Sequence, residues 1–270
     1  MGASPALRLV TASAASPLIA ISGVSKTYRT RGGIVPSLRP LDFTIGEGEF
    51  FVVVGPSGCG KSTLLKMIAG LLPPSEGTIT VQGRPITGPH RDVGVVFQSP
   101  LLLPWRTVLR NVTMPAEVKR LPHGPAITRA RELLRMVGLE GFESKLPFQL
   151  SGGMQQRAAI CRALVHDPRI ILMDEPFGAL DAMTREHMNL ELQRIQRTTG
   201  KTVVLITHSI PEAVFLGDRV LVMSERPGGI AAIYDVNLPR PRTPDTMGDP
   251  VFLETARKIR AHFQTQTTLD

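Results

Sequence analysis

Nine consecutive residues constrain this 270-residue chain more than any others: Gly55-Pro56-Ser57-Gly58-Cys59-Gly60-Lys61-Ser62-Thr63. They follow an apolar run, Phe50-Phe51-Val52-Val53-Val54, and lead into Leu64-Leu65-Lys66-Met67-Ile68-Ala69-Gly70. The order reads strand, glycine-rich loop, helix. In that context the spacing G-x-x-x-x-G-K-[ST] makes a cradle for nucleotide phosphates. Glycine lets successive backbone N–H groups turn inward, and the helix start adds its positive end at the same point. Lys61 is expected to reach the β- and γ-phosphates, and the Ser62 hydroxyl to ligand Mg²⁺. Phosphate binding alone leaves kinases, GTPases and motor ATPases open.

The remaining composition sets limits on class. Hydrophobic residues make up 42% of the chain, enough for a sizeable core, and the net charge of +8 suits a polyanionic partner or plain solubility. No Lys/Arg run interleaved with aromatics marks a nucleic-acid track, so no nucleic-acid partner is expected. The two cysteines are Cys59, inside the loop, and Cys161, inside a predicted helix. Pairing between them is not expected, and so few cysteines fit a reducing compartment. No run of eighteen apolar residues predicts a membrane-spanning helix. Residues 1–17 are rich in Ala and Ser, carry only Arg8 as a charged side chain and lack a continuous apolar segment. They read as a disordered leader rather than a secretory signal.

Along the chain, the front third reads as mixed β structure with one helix. Strands are predicted at 18–21, before the turn-like Ser22-Gly23, and at 41–45, 50–54, 78–83 and 93–97. Ala130, Leu133, Leu134 and Val137 then fall on one helical face closed by Gly138, with prolines at 100, 104, 115, 122 and 125 expected to break up the approach. Ser151 opens a helix that stops at Asp167-Pro168. A buried strand at 170–173, a helix near 182–198 and a second buried strand at 203–206 follow, and this alternation predicts a parallel sheet. Residues 220–223 and 230–238 read as a closing hairpin around Pro227-Gly228-Gly229. Phe252, Ala256, Ile259 and Phe263 mark one face of a last helix.

Two further stretches carry chemistry. Ile170-Ile171-Leu172-Met173-Asp174-Glu175 is an apolar strand ending in two acids, and ligands of parallel sheets bind at the carboxyl ends of strands. Asp174 is placed to hold Mg²⁺, directly or through water, while Glu175 points elsewhere and can polarise an attacking water. Leu150-Ser151-Gly152-Gly153-Met154-Gln155-Gln156-Arg157 supplies an N-cap serine and two glycines that permit close approach to a helix start. That is a second helix end suited to phosphate, and one nucleotide does not ordinarily need two from one chain.

Over roughly residues 18–238 the chain strongly resembles the ATP-binding subunit of ABC transporters. Residues 55–63 resemble the Walker A loop, 150–157 the ABC signature and 170–174 Walker B. The resemblance implies an α/β P-loop NTPase fold with a parallel-sheet core, an antiparallel β subdomain and a small inserted helical subdomain. It implies an ATPase domain over 18–240 with the helical part at about 100–165, then a tail over 241–270 bearing one amphipathic helix. It assigns further roles by position. Gln98 resembles the glutamine that touches Mg²⁺ or water and senses the membrane partner. Gly178-Ala179-Leu180-Asp181 resembles the D-loop, so Asp181 joins the nucleotide site. His208 resembles the switch histidine at the γ-phosphate, and Tyr28 the aromatic that stacks on adenine. With ATP and Mg²⁺ as cofactors, Glu175 becomes the general base or water-orienting group, and Ser151, Gly152, Gly153 and Gln155 meet the nucleotide of a second copy in a head-to-tail dimer.

The segment Leu103-Pro104-Trp105-Arg106-Thr107-Val108, with Asp174-Glu175-Pro176-Phe177 and Ser224-Glu225-Arg226-Pro227-Gly228, resembles the nitrate/sulfonate/taurine importer group. That resemblance implies integral membrane permease subunits as partners and, indirectly, a periplasmic solute-binding protein. The expected location is peripheral, on the cytoplasmic face of the bacterial inner membrane. The alternatives are an exporter ATPase, or an ABC ATPase working away from membranes in DNA repair or translation. The short helical insert between Gln98 and Ser151, without sustained heptads, argues against the latter.

Overall fold

The computed structural model describes residues 17–264 apart from Ala179, so nearly all of the expected leader lies outside the described residues. Strands β1 (Ile19–Thr30) and β2 (Gly33–Ile45) form a long antiparallel hairpin. Strand β3 (Phe50–Val54) then runs into helix α1 (Lys61–Ile68). Strands β4 (Glu76–Val81) and β5 (Arg84–Pro85) return to the hairpin and complete a four-stranded sheet in the order β2-β1-β4-β5. The predicted turn at Ser22-Gly23 is instead a bulge within β1, because pairing resumes at Val24 with Leu41. A bulge absorbs such residues without ending the ladder.

The second sheet is the parallel one the helix–strand alternation predicts. Strands β6 (Val93–Val96), β7 (Ile170–Asp174) and β8 (Thr202–Ile206) line up parallel with β3. Strand β9 (Arg219–Met223) is parallel to β3 on its other side, and β10 (Ile230–Asp235) closes the edge antiparallel. The order is β10-β9-β3-β8-β7-β6. The side chains of β3 alternate as a strand buried on both faces requires. Phe50, Val52 and Val54 join one apolar cluster, Phe51 and Val53 the other. Leu64, Leu65, Met67 and Ile68 of α1 share that second cluster with Ile19, Ile21, Ile79 and Val81 of the first sheet and with Leu172, Val204 and Ile206 of the second. Helix α1 is therefore wedged between the sheets, where each such side chain contributes about 1.5–3 kcal/mol of burial.

Three helices cover the other face beyond β6: α2 (Val108–Val118), α3 (His123–Met136) and α4 (Gly152–Leu164). The prolines do not break this region as expected. Pro115 lies in the last turns of α2, whose start is capped by the Thr107 side chain accepting from Arg110 N. Pro122 caps α3 and Pro125 falls in its first turn, where backbone N–H groups have no helical acceptor to lose. Gly94 of β6 lets α4 approach closely, since a Cβ there would lie 2.3 Å from Ala163 O.

Helix α5 (Ala182–Thr199) precedes β8, and a short helix α6 (Ile210–Leu216), not foreseen from the sequence, follows it. Arg242 is 1% exposed and caps the far end of α6, donating through Nη1 to the carbonyls of Val214, Phe215 and Gly217. Helix α7 (Pro250–Gln264) buries the predicted face at Phe252, Ala256 and Ile259.

His166, at the end of α4, enters this core uncharged. Burial first, with help from Lys119 and Lys201, pulls its imidazole down to about 4 from 6.5. Below pH 6.5 the unfolded chain takes up a proton that the folded chain refuses until about pH 4, so stability falls as pH drops through that window. Thermal melts between pH 7 and 4 should show Tm falling less steeply in His166→Gln than in wild type. Parallel slopes would contradict the assignment.

Candidate active site

Parallel strands in one sheet end on the same edge, and here that edge collects the chemistry. Val54 leads into the glycine-rich loop, Val96 into Phe97 and Gln98, Ile206 into Thr207 and His208, and Asp174 closes β7 beside Ile206. The ladder continues one residue past the strands, with Glu175 N donating to Ile206 O at 2.9 Å and Thr207 N to Val53 O at 3.2 Å.

The loop itself is shaped by glycine. Gly60 has φ 102°, and a Cβ there would lie 2.6 Å from Leu38 Cδ2 and 3.2 Å from Ser37 O, so no larger residue fits the turn into α1. Residues 37–39 are held there by the loop between β9 and β10: Gly228 N donates to Ser37 O at 2.9 Å and Arg39 N to Gly228 O at 2.7 Å. No side chain caps the N-terminus of α1, which leaves its first backbone N–H groups to a ligand. Lys61 is 6% exposed, and its ammonium donates to Gly55 O (2.8 Å) and Pro56 O (2.9 Å). An ammonium has three donors, so one remains for an anion in the loop. Cys59 is 1% exposed and faces inward, its Sγ 2.9 Å from where a Cβ on Gly55 would sit. Pro56, Ser57 and Gly58 form the outer rim.

Ser62 and Asp174 meet across the edge, the Ser62 hydroxyl donating to Asp174 Oδ1 at 3.0 Å. Burial raises the Asp174 carboxyl above its ordinary range, the Ser62 hydrogen bond opposes that rise, and nearby Glu175 adds to it. The donor set here is a hydroxyl and a carboxylate, both hard ligands. Among the described residues no group of three or more His, Cys, Asp or Glu forms a metal cage. One carboxylate and one hydroxyl, with substrate phosphates and waters, is the pattern that suits Mg²⁺.

Glu175 is the meeting point of the second cluster. Its Oε2 accepts from Gln98 Nε2 at 3.4 Å and lies 3.3 Å from His208 Nδ1. Its backbone has φ 46°, a left-handed conformation that costs a non-glycine residue on the order of 1–3 kcal/mol. Gly178 N donates back to Glu175 O at 3.2 Å and closes the turn. Tyr28 comes from the other sheet; its hydroxyl lies 3.4 Å from Thr63 Oγ1, and the Lys26 ammonium is 5.5 Å from the ring.

The second glycine-bearing helix start stands apart. Ser151 caps α4 by accepting from Met154 N at 3.3 Å. Gly152 has open space around it, and Gly153 is packed against Leu180. Gln155 turns back toward its own chain and donates to Pro147 O (3.0 Å) and Leu150 O (3.3 Å). Asp181 caps α5 through Thr184 N at 3.0 Å and is fully exposed otherwise. Among the described residues no hydrogen bond joins residues 151–155 to residues 55–63. A separate cavity of about 210 Å³ between α3 and α5 shares no residue with either cluster; its Arg129 and Lys201 are already paired with Asp167.

The sequence profile of the ABC transporter family matches residues 38–178. The chain belongs to that family. It is 49% identical over 239 residues to an ABC transporter ATP-binding protein of Methanocaldococcus jannaschii, covering 88% of each chain. It is 46% identical over 217 residues to a taurine import ATP-binding protein of Burkholderia pseudomallei, covering 80% of this chain and 84% of that one. Among solved structures it is similar to a dimeric ATP-binding cassette in a post-hydrolysis state with ADP and Pi. The TM-score is 0.75 at 36% identity, covering 82% of this chain and 99% of that one. This member of the ABC family is thus an ATPase of the transport type, with the α/β cassette fold its motifs predict.

Sequence reasoning missed the supports of the site. Residues 37–39 carry no motif, and Gly228 read only as a turn residue and part of an importer-like stretch, with nothing to tie it to the phosphate loop. Helix α6 had a signal, since Ser209-Ile210-Pro211-Glu212 has the S-x-x-E spacing of a helix start and Ser209 Oγ does accept from Glu212 N at 3.3 Å. The burial of both cysteines was equally invisible. Cys59 and Cys161 are free and buried; burial raises the Cys59 thiol above its ordinary range, with Lys61 opposing, and raises the Cys161 thiol far above it. A bulky maleimide should therefore add to neither thiol in the native protein and to both in denaturant, read by intact mass. Rapid native labelling at Cys59 would contradict its inward orientation.

Proposed function

We propose that this ABC ATPase energises import of a small anionic or zwitterionic solute of the sulfonate, taurine or nitrate kind through a membrane permease. The taurine import relative supports the solute class. The carrying observation for hydrolysis is the convergence of Gln98 and His208 on Glu175, beside the Ser62–Asp174 pair. Exporter or non-membrane roles are not favoured by any of these observations.

In this reading the backbone N–H groups of residues 57–62 and the Lys61 ammonium bind the β- and γ-phosphates. Ser62, Asp174 and Gln98 hold Mg²⁺, which when bound neutralises charge on the transferring phosphoryl oxygens. Glu175 accepts a proton from, or orients, the attacking water. Gln98 and His208 fix the Glu175 carboxylate, and His208 also steadies the γ-phosphate. Tyr28 stacks on adenine from near the end of β1.

Ser151 and Gly152 face outward, with Gly153 behind them against Leu180, at a helix start that their own chain's loop does not use. They act on the nucleotide of a second copy, with Asp181 near the same interface, and the dimeric solved relatives support that arrangement. Gln155 then serves by bracing the Ser151 turn. Helices α2–α4, about residues 100–165, are assigned as the inserted helical subdomain. Exposed Leu101 and Trp105 (75% exposed) form its permease-facing patch. Among the described residues no helix is long and apolar enough to cross a membrane, and the location proposed is peripheral, on the cytoplasmic face.

Glu175→Gln should keep ATP binding, lose turnover by about 100-fold or more, and accumulate an ATP-bound dimer on size exclusion with light scattering. Turnover at the wild-type rate would remove Glu175 from its role. Lys61→Ala should abolish ATP affinity in equilibrium titration; an unchanged dissociation constant refutes the cradle. Native co-purification should recover a polytopic permease, and recovery of ribosomes or DNA instead would overturn the transport reading.

A further inference from the structure

Glu212 is a buried carboxylate that the proposed reaction does not use. It is 6% exposed, in the first turn of α6, four residues after His208. The Thr207 hydroxyl accepts from Ser209 N at 3.0 Å and lines the same gap as Glu212. Glu212 Oε1 is buried without a partner. Arg185 stands opposite, on the first turn of α5. Its Nη2 donates to Leu180 O at 2.9 Å, and its Nε is likewise buried without a partner. A gap of about 10 Å³ lies between them, lined by Glu212, Arg185, Thr207, His208 and Glu175.

An orphaned acceptor and an orphaned donor of opposite charge each forgo a hydrogen bond, which is costly for a buried polar group. A polar gap of that size holds about one water, and buried waters typically join such groups. We propose that one ordered water fills this gap and bridges Glu212 Oε1 to Arg185 Nε, making Glu212 and Arg185 positioning residues for His208 and Glu175. The bridge ties the first turn of α6, which carries His208 at its approach, to the first turn of α5. Because Arg185 also grips Leu180, the segment 180–181 is fastened to the same node. Neither residue touches the phosphates; both act through the histidine and glutamate. This inference rests on the ATPase reading above.

Steady-state ATPase assays and melts on full-length Glu212→Leu, Glu212→Gln, Arg185→Leu and the Glu212→Leu/Arg185→Leu double variant test it. Glu212→Leu and Arg185→Leu should each lower kcat about tenfold with the KM for ATP within about twofold, and the double variant should be no worse than the worse single. Glu212→Gln, whose amide oxygen still accepts from the water, should recover most of kcat. Glu212→Leu at wild-type kcat, effects that multiply in the double variant, or a Gln variant as impaired as Leu would overturn the bridge. If a variant fails to fold, a high-resolution crystal structure of the wild-type protein decides. Density for one water bonded to both side chains is expected, and its absence refutes the proposal. Wild-type protein without ATPase activity would instead sink the functional reading on which this one stands.

Discussion

Parallel pairing of β3, β8, β7 and β6 obliges every crossover to return to the same edge of the sheet, and the site depends on that constraint. Each strand delivers one element of the chemistry as it ends: the phosphate loop, His208, the Asp174-Glu175 pair and Gln98. Neighbouring strands bring residues at the same or the next register position within reach: Gln98 falls level with Glu175 and His208 one position past it. That is how Gln98 and His208, from strands on opposite sides of β7, reach one carboxylate. The wedge of α1 between two sheets then aims the loop, because a helix packed on both sides has no freedom to tilt away from Asp174.

The price of this convergence appears as polar strain around the edge. Glu175 is held left-handed, Asp174 is desolvated, and Glu212 and Arg185 each keep a buried unpartnered atom. Away from the edge Arg242 reaches five carbonyls through its two Nη atoms, while its Nε, like Arg157 Nε and Asn189 Oδ1, is also buried without a partner.

Much of this was legible from residues alone. The alternation of apolar strands with helices predicted the parallel sheet, and Ser151 read correctly as a helix cap because a capping side chain acts on its own next turn. The errors were also local in origin. Pro115, Pro122 and Pro125 read as breakers, yet proline costs a helix little in the first turn, and tertiary packing of Val108, Val112 and Ala116 stabilised α2 around Pro115. Residues 22–23 read as a turn because a bulge and a turn use the same residues.

The sequence by itself determined the phosphate loop, the caps and the order of strands and helices, since each depends on backbone freedom and side-chain reach within a few residues. Only the tertiary structure decided which distant groups meet. Leu38 and Ser37, the latter bonded to Gly228, hem in Gly60, Tyr28 reaches Thr63, the thiol of Cys59 turns inward, and Arg185 comes to face Glu212. Those encounters join residues up to 190 positions or so apart in packing set by sheet order and helix burial, and no short stretch of chain encodes a distance to a neighbour it meets only after folding.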